Sequence, residues 1–197
     1  MKRRTPLWHK ILKDTRFYEL LLKFDEDIAA GVRAERCACG GRLDAGHYAR
    51  KPRGGPSDLG KKHACRFSFC CAVEGCRART MPASVRFLGP KVFLGAVVVL
   101  ATAMQQGPTR QRASQLSRLF GVSRQTLRRW RHWWAATFRG SRFWQSLRNR
   151  FMPTVDERAL PLALLDRLTS GDDPGVFALL RLLLPISTTP GLEASAS

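Results

Sequence analysis

The chain has 197 residues, and 44% of them are apolar, which predicts one ordinary domain or two small ones with real hydrophobic cores. Lysine and arginine number 34 against 15 acidic residues, so the formal net charge is +19. These values argue against an intrinsically disordered chain, and the charge excess indicates a polyanionic partner.

The charge is unevenly distributed along the chain. Residues 1–74 carry 16 basic and 9 acidic side chains, and residues 156–197 carry 3 and 6. Between them, residues 75–155 carry 15 basic side chains and no acidic one. A general preference for arginine over lysine would not by itself remove every Asp and Glu from residues 75–155, which we call the acid-free block. We therefore expect it to lie against the phosphates of double-stranded DNA.

The first predicted element is an amphipathic helix from Asp14 to about Ala34, with Asp14 or Thr15 as its N-cap. Its apolar positions follow i, i+3, i+4 spacing: Phe17, Leu20, Leu21, Phe24 and Ile28. We assign residues 1–35 to this helix.

No secretory signal is visible, and the longest apolar run, Val92 to Met104, is too short to span a bilayer. A cytoplasmic, nucleoid-associated protein without a membrane partner is expected.

Residues 36–86 are rich in glycine and proline and hold six cysteines, which in a reducing compartment suggest a metal before disulfides. Structural zinc binds four thiolates, usually delivered as two close pairs. Cys37 and Cys39 form one pair, and Cys71 and Cys76 the other. We predict a zinc ribbon here, because the segment has too few apolar residues to fold without a cross-link such as a bound metal.

The choice of Cys71 depends on strand geometry. Neighbouring strand residues point to opposite faces, so Cys70 and Cys71 are not both ligands. Cys71 lies next to the turn, and Cys70 stays as the alternative. Cys65 and His63 are less favoured ligands, while free thiols or a redox pair are the non-metal alternatives. Without a His-x-Glu signature, any zinc here is structural.

A basic loop rich in glycine and proline lies between the two cysteine pairs, from His47 to Pro56. It is either a solvated hairpin or a phosphate-contacting loop that uses Arg50, Lys51 and Arg53, with Lys61 and Lys62 close by in the sequence.

Three helices are predicted next, over Val92–Gln106, Arg112–Phe120 and Ser123–Phe138, and the first ends at Gly107-Pro108. Gly121 fits the left-handed turn that ends the second of these helices. Val122 fits the buried corner between the second and third helices, and Ser123 fits the N-cap of the third. These features predict a helix-turn-helix, with a plain helical hairpin as the alternative. The apolar residues are Leu116 and Phe120 on one helix and Leu127, Trp130 and Trp134 on the next.

The third of these helices presents the candidate base-reading side chains. Arginine reads guanine and glutamine reads adenine in the major groove, whereas Thr126 and the outer arginines suit phosphates. The predicted contacts are Ser123, Arg124, Gln125, Thr126, Arg128, Arg129 and Arg131.

The helix-turn-helix domain, residues 87–152, ends in a basic aromatic extension over Ser141–Phe151. An acidic, leucine-rich helical segment follows over 153–186, with helices at Ala159–Leu168 and Val176–Leu184, and then a disordered tail over 187–197. The predicted fold is mainly α with a small β zinc ribbon. Its parts are an N-terminal helix, the ribbon, a three-helix helix-turn-helix domain and a helical C-terminal segment.

Several motifs carry a family resemblance: Cys-x-Cys-Gly-Gly at 37–41, Arg66-Phe-Ser-Phe-Cys-Cys, Gly75-Cys-Arg, Ser84-Val-Arg-Phe-Leu-Gly, and Gly121-Val-Ser-Arg-Gln-Thr-Leu-Arg-Arg-Trp. Together, over residues 36–135, they resemble the zinc-ribbon and helix-turn-helix regions of bacterial insertion-sequence transposases and their small accessory proteins. Two departures stand out. The first cysteine pair is one residue shorter than usual, and no catalytic domain follows.

The resemblance implies a DNA-binding protein associated with a mobile element. About 60 residues follow the helix-turn-helix, too few for a ribonuclease-H-like sheet with three carboxylates, and no recombinase nucleophile arrangement is visible. We therefore expect a non-catalytic, sequence-specific protein. The alternatives are a transcriptional regulator, or the DNA-binding subunit of a recombinase or transposase whose catalytic chain is separate; an RNA-binding ribbon is less favoured.

Overall fold

A computed structural model describes residues 4–89, 93–105, 110–171 and 175–188. The described chain is mainly helical with small antiparallel sheets, which confirms the predicted mainly α class. The α-helices are α1 (Arg4–Lys13), α2 (Thr15–Glu35), α3 (Gly95–Ala103), α4 (Arg110–Phe120), α5 (Arg124–His132), α6 (Arg142–Leu147), α7 (Leu162–Leu168) and α8 (Val176–Leu182).

The N-terminal region contains two helices where the sequence predicted one. Asp14 separates them, and its side chain accepts a hydrogen bond from the backbone N–H of Arg16 as the N-cap of α2. Trp8 and Leu12 of α1 are buried in the main core. This helix precedes the periodic stretch from which the prediction was made, so the apolar pattern of α2 gave no sign of it.

Helix α3 lies at the centre of the helical body, because all nine of its residues are buried. A helix that is apolar on every side needs neighbours all round, and α3 packs against α1, α4, α5 and α8. It begins at Gly95, whereas the predicted ends at Val92 and Gln106 lie outside the described residues.

Five short strands lie between α2 and α3: β1 (Leu43–Ala45), β2 (Tyr48–Ala49), β3 (Cys65–Arg66), β4 (Phe69–Cys71) and β5 (Arg79–Thr80). The first sheet is antiparallel with the order β1-β4-β5, and it pairs Leu43 with Cys71. A separate antiparallel pair joins β2 and β3. The run from Arg66 to Cys70 is therefore divided between two strands in different sheets.

The C-terminal helices complete the main core. Trp144 of α6 is buried, and its indole Nε1 donates to Glu157 Oε1 at 2.9 Å. Helix α8 packs on α3, and its Phe177 meets Phe24 of α2 edge-on at 4.5 Å. The predicted disordered tail begins too early, because Ser187 is buried and its hydroxyl accepts the Ser84 N–H. Residues 189–197 of that tail lie outside the described residues.

Candidate metal centre and basic helix

Four cysteine sulfurs converge at one end of the three-stranded sheet. The Sγ atoms of Cys37, Cys39, Cys71 and Cys76 all lie within 4.8 Å of one another. Cys37 and Cys76 are 3.8 Å apart at sulfur, and Cys39 and Cys71 are 3.5 Å apart. Tetrahedral zinc with four thiolates has neighbouring sulfurs about 3.8 Å apart, so the group has the spacing of a metal site.

The first cysteine pair is presented by a tight turn. The Cys37 N–H donates to Gly41 O at 3.0 Å, and the Gly40 N–H donates to Cys37 O at 2.7 Å. A Cβ at Gly41 would lie 2.6 Å from Cys71 Sγ, far inside van der Waals contact. Only glycine lets the backbone approach the sulfur cluster this closely.

The second pair follows from the alternation of strand β4. Cys71 is buried beside Leu43, whereas Cys70 points away from the cluster, next to Gly46. Neither Cys70 nor the less favoured candidates Cys65 and His63 belong to the four-sulfur group. The four cysteines that the sequence singled out are thus the four that the described structure brings together.

The thiols of the cluster differ in acidity. The backbone N–H of Gly41, followed by the neighbouring thiols, lowers the pKa of Cys39 to about 7. The pKa of Cys71 is raised, although the Val73 N–H favours its thiolate, because burial and the other cysteines oppose a further negative charge. One thiolate forms readily, and four together need a positive ion between them.

Helices α4 and α5 are joined by three residues with clear roles. Gly121 has φ 59°, the left-handed conformation that favours glycine. Val122 is buried, and its N–H donates to Ser117 O at 3.1 Å. Ser123 is the N-cap of α5, and its Oγ accepts from the Thr126 N–H at 3.1 Å. These residues hold α5 at a fixed angle to α4.

Helix α5 has two chemically opposite faces. Leu127, Trp130 and the following Trp134 are buried, and Trp130 meets Phe93 edge-on at 5.0 Å. The helix continues as a π-helical stretch, Trp133–Phe138. The candidate DNA contacts lie on the outside: Ser123, Arg124, Gln125, Arg128, Arg129 and Arg131 are exposed, and Thr126 is half-buried.

Arg124 has an intramolecular partner, because its guanidinium donates to Ser114 Oγ on α4. It therefore links the two helices as well as lying at the N-terminus of α5. Arg128 is exposed and has no ion-pair partner within the described residues, which makes it the cleaner probe of the outer face.

The basic loop is docked more closely than a solvated hairpin would be. Arg50 is half-buried; its guanidinium lies 5.1 Å from the centre of the Phe87 ring and donates to Gly89 O at 3.1 Å. The Leu94 N–H donates to Arg53 O at 3.2 Å, which ties the loop to the start of α3. The side chains of Lys51 and Arg53 are exposed. Arg50 thus has a packing role that the sequence did not reveal.

Sequence reasoning also missed a buried ionic centre. Asp25 of α2 and Arg86 are almost fully buried and lie 2.7 Å apart, from carboxylate oxygen to Nε. Asp25 also accepts from the Ser84 hydroxyl and the Val85 N–H, and Arg86 donates to the carbonyls of His63 and Cys65. The available signal was an acidic residue on the apolar face of α2, four positions after Leu21.

No helix within the described ranges combines the length and apolarity that crossing a bilayer requires. In comparisons with known proteins, no family model, no curated protein and no solved structure matches this chain at a significant level.

Proposed function

We propose that this chain is a non-catalytic, sequence-specific duplex DNA-binding protein of a mobile element, in which α3–α5 act as a helix-turn-helix. The observation that carries the proposal is the outer face of α5. It combines exposed Arg128, Arg129 and Gln125 with an apolar inner face that fixes the helix on the body. Arginine and glutamine are the side chains that pair bidentately with guanine and adenine in the major groove.

The charge of the sequence block that contains α5 supports the same conclusion. The acid-free block, residues 75–155, includes α4, α5 and α6 and contains no carboxylate side chain to repel a phosphate backbone. Exposed arginines also occur outside α5, at Arg118, Arg142 and Arg150. Phosphate contacts of this kind position a protein on DNA without reading its sequence.

We infer that the four cysteines hold one structural Zn²⁺. A site of four thiolates suits zinc far better than magnesium or calcium, which prefer oxygen ligands. The two close cysteine pairs on opposed turns, beside a small antiparallel sheet, are what a zinc ribbon requires. With all four positions taken by cysteine, the metal has a folding role and no open position for substrate.

The proposal predicts that affinity for duplex DNA falls steeply with salt. If about five to eight phosphates are engaged, doubling the salt from about 100 to 200 mM should weaken binding about 20- to 150-fold. Fluorescence anisotropy with a labelled duplex measures this slope. A flat dependence would mean that the acid-free block is not the contact surface.

The sharper prediction concerns base reading by Arg128. After the preferred site is selected from a random duplex pool, Arg128→Ala should cost about 1–3 kcal/mol on that site and relax discrimination at particular base pairs. Arg128→Lys should keep the salt slope but lose the discrimination, because lysine lacks the planar bidentate fork. Arg167→Ala, an exposed arginine of α7, is the matched control and should change neither property.

The selection experiment also tests whether α5 recognises bases or has only a structural role. If Arg128→Ala selects the same sites as the parent protein, α5 is structural and base recognition must be sought in the basic loop. Co-purification of a second chain with nuclease or transposase activity would favour the alternative of a DNA-binding subunit with a separate catalytic partner.

A further inference from the structure

A cavity of about 450 Å³ lies beside the basic loop, outside both the cysteine cluster and α5. Its walls come from α2, the loop over 50–60, the 3₁₀ turn at Lys61–Ala64 and the start of α3. This volume lies within the usual range for small-molecule sites in proteins.

Most of the polar side chains that line this cavity, which we call the basic cavity, are cationic. Arg50, Lys51, Lys61 and His63 line it, and no Asp or Glu does. Lys51 and Lys61 are exposed and have no ion-pair partner within the described ranges. Arg86 also lines the cavity, but Asp25 neutralises its charge. Lys51 and Lys61 therefore supply positive charge at the cavity.

His63 adds unused hydrogen-bonding capacity to the wall. Its side chain is nearly fully buried, and within the described residues Nδ1 has no hydrogen-bond partner. Burial, reinforced by the charges of Lys62 and Arg86, lowers the pKa of His63 despite Glu19 and Glu26 nearby. A neutral ring offers one donor and one acceptor.

The cavity also has an apolar lining. Leu59, Leu94 and Pro56 contribute to it, together with Tyr18, whose hydroxyl is already bonded to Leu12 O. A ligand that carries both an anionic group and an apolar or flat group would match both kinds of lining residue. A mononucleotide has this character and a suitable size.

We propose that the basic cavity binds the phosphate group of a phosphate ester, with Lys61, Lys51 and Arg50 around the anion and the remainder of the ligand against Leu59 and Leu94. The inference does not depend on the proposed reading of DNA by α5. The phosphate has two candidate sources, a free mononucleotide or the backbone of bound DNA, and the experiment separates them.

Calorimetric titration of the full, metal-loaded chain with dAMP, inorganic phosphate and deoxyadenosine tests the chemistry. Binding of dAMP is expected, and deoxyadenosine, which lacks the phosphate, should bind at least tenfold more weakly. Lys61→Ala should weaken dAMP binding about tenfold, as expected for loss of one charged hydrogen bond. Lys62→Ala is the matched control, because Lys62 is the exposed neighbour in the same 3₁₀ turn but does not line the cavity.

A parallel titration with duplex DNA identifies the source of the phosphate. If dAMP and phosphate do not bind but Lys61→Ala weakens duplex binding more than Lys62→Ala does, the cavity holds a backbone phosphate. The proposal is overturned if neither phosphate compound binds at several millimolar and the two lysine variants affect DNA equally. Nucleotide binding by a protein that binds no DNA would keep this inference and remove the proposed function.

Discussion

Replacing Cys71 by serine is expected to abolish metal binding and to unfold residues 36–80, whereas Cys70→Ser should leave both properties intact. Cys71 Sγ lies in the four-sulfur group, and Cys70 lies on the other face of the same strand. The two variants change the same atom in neighbouring residues, so they form a matched pair. Elemental analysis of reductively purified protein and amide hydrogen exchange over 36–80 measure the outcome.

The large effect follows from how little else holds this cysteine module, residues 36–80, together. Its own core cluster contains Leu43, Phe69 and Cys71, together with Ala29 of α2. Structural zinc contributes about 10–16 kcal/mol to the folding of zinc-finger peptides at neutral pH, which exceeds what so few buried side chains supply.

A chelator extends the test to the parent protein. Removing the metal should increase hydrogen exchange in the module and leave α3, with its nine buried residues, protected. Protein that is purified under reduction, contains no metal and keeps residues 36–80 ordered would contradict the prediction. So would loss of metal in Cys70→Ser together with its retention in Cys71→Ser.

Local rules predicted much of this architecture. The turn residues Gly121 and Ser123 were identified from sequence, and the N-cap of α2 was limited to Asp14 or Thr15, of which Asp14 has the role; all are determined by neighbours within a few positions. The choice of Cys71 over Cys70 needed only strand alternation and the position of Cys71 next to the turn. Such features depend on backbone conformations that a few adjacent residues determine.

Contacts between distant segments were not predictable in the same way. Arg50 was interpreted as a loop side chain, yet it packs on Phe87, 37 positions later. The C-terminal segment was predicted as helical, but its packing on α3 and the bond between Ser187 and Ser84 depend on how the whole chain closes. A single sequence contains no pairing information for such residues.

The buried ionic centre gives the second large prediction: Asp25→Ala should lower the free energy of unfolding by about 3–5 kcal/mol. The substitution leaves the Arg86 guanidinium buried with carbonyl partners but no counter-charge, and it removes the acceptor of the Ser84 hydroxyl and the Val85 N–H. Phe67 and Phe87 lie against the guanidinium at 5.3 and 5.0 Å, so Arg86 cannot easily move to water.

Asp27→Ala is the matched control, because Asp27 lies two residues later on α2 and forms an exposed ion pair with Lys23 at 3.5 Å. Its loss should cost about 0.5 kcal/mol or less. Asp25→Asn should fall between the two, since its amide oxygen can still accept a hydrogen bond but carries no charge. Denaturant unfolding in excess metal measures all three variants.

This centre also connects the two parts of the molecule that the proposed function uses. Asp25 belongs to α2, and Arg86 bonds to the carbonyls of His63, just before strand β3, and of Cys65 within it, so this ion pair fastens the cysteine module to the helical body. We therefore expect Asp25→Ala to keep its metal, since the four cysteines are untouched, while hydrogen exchange rises at residues 61–66 and 84–87. Equal stability of Asp25→Ala and Asp27→Ala would mean that the ion pair does not fasten the module, and that the packing of Phe69 and Ala29 does so instead.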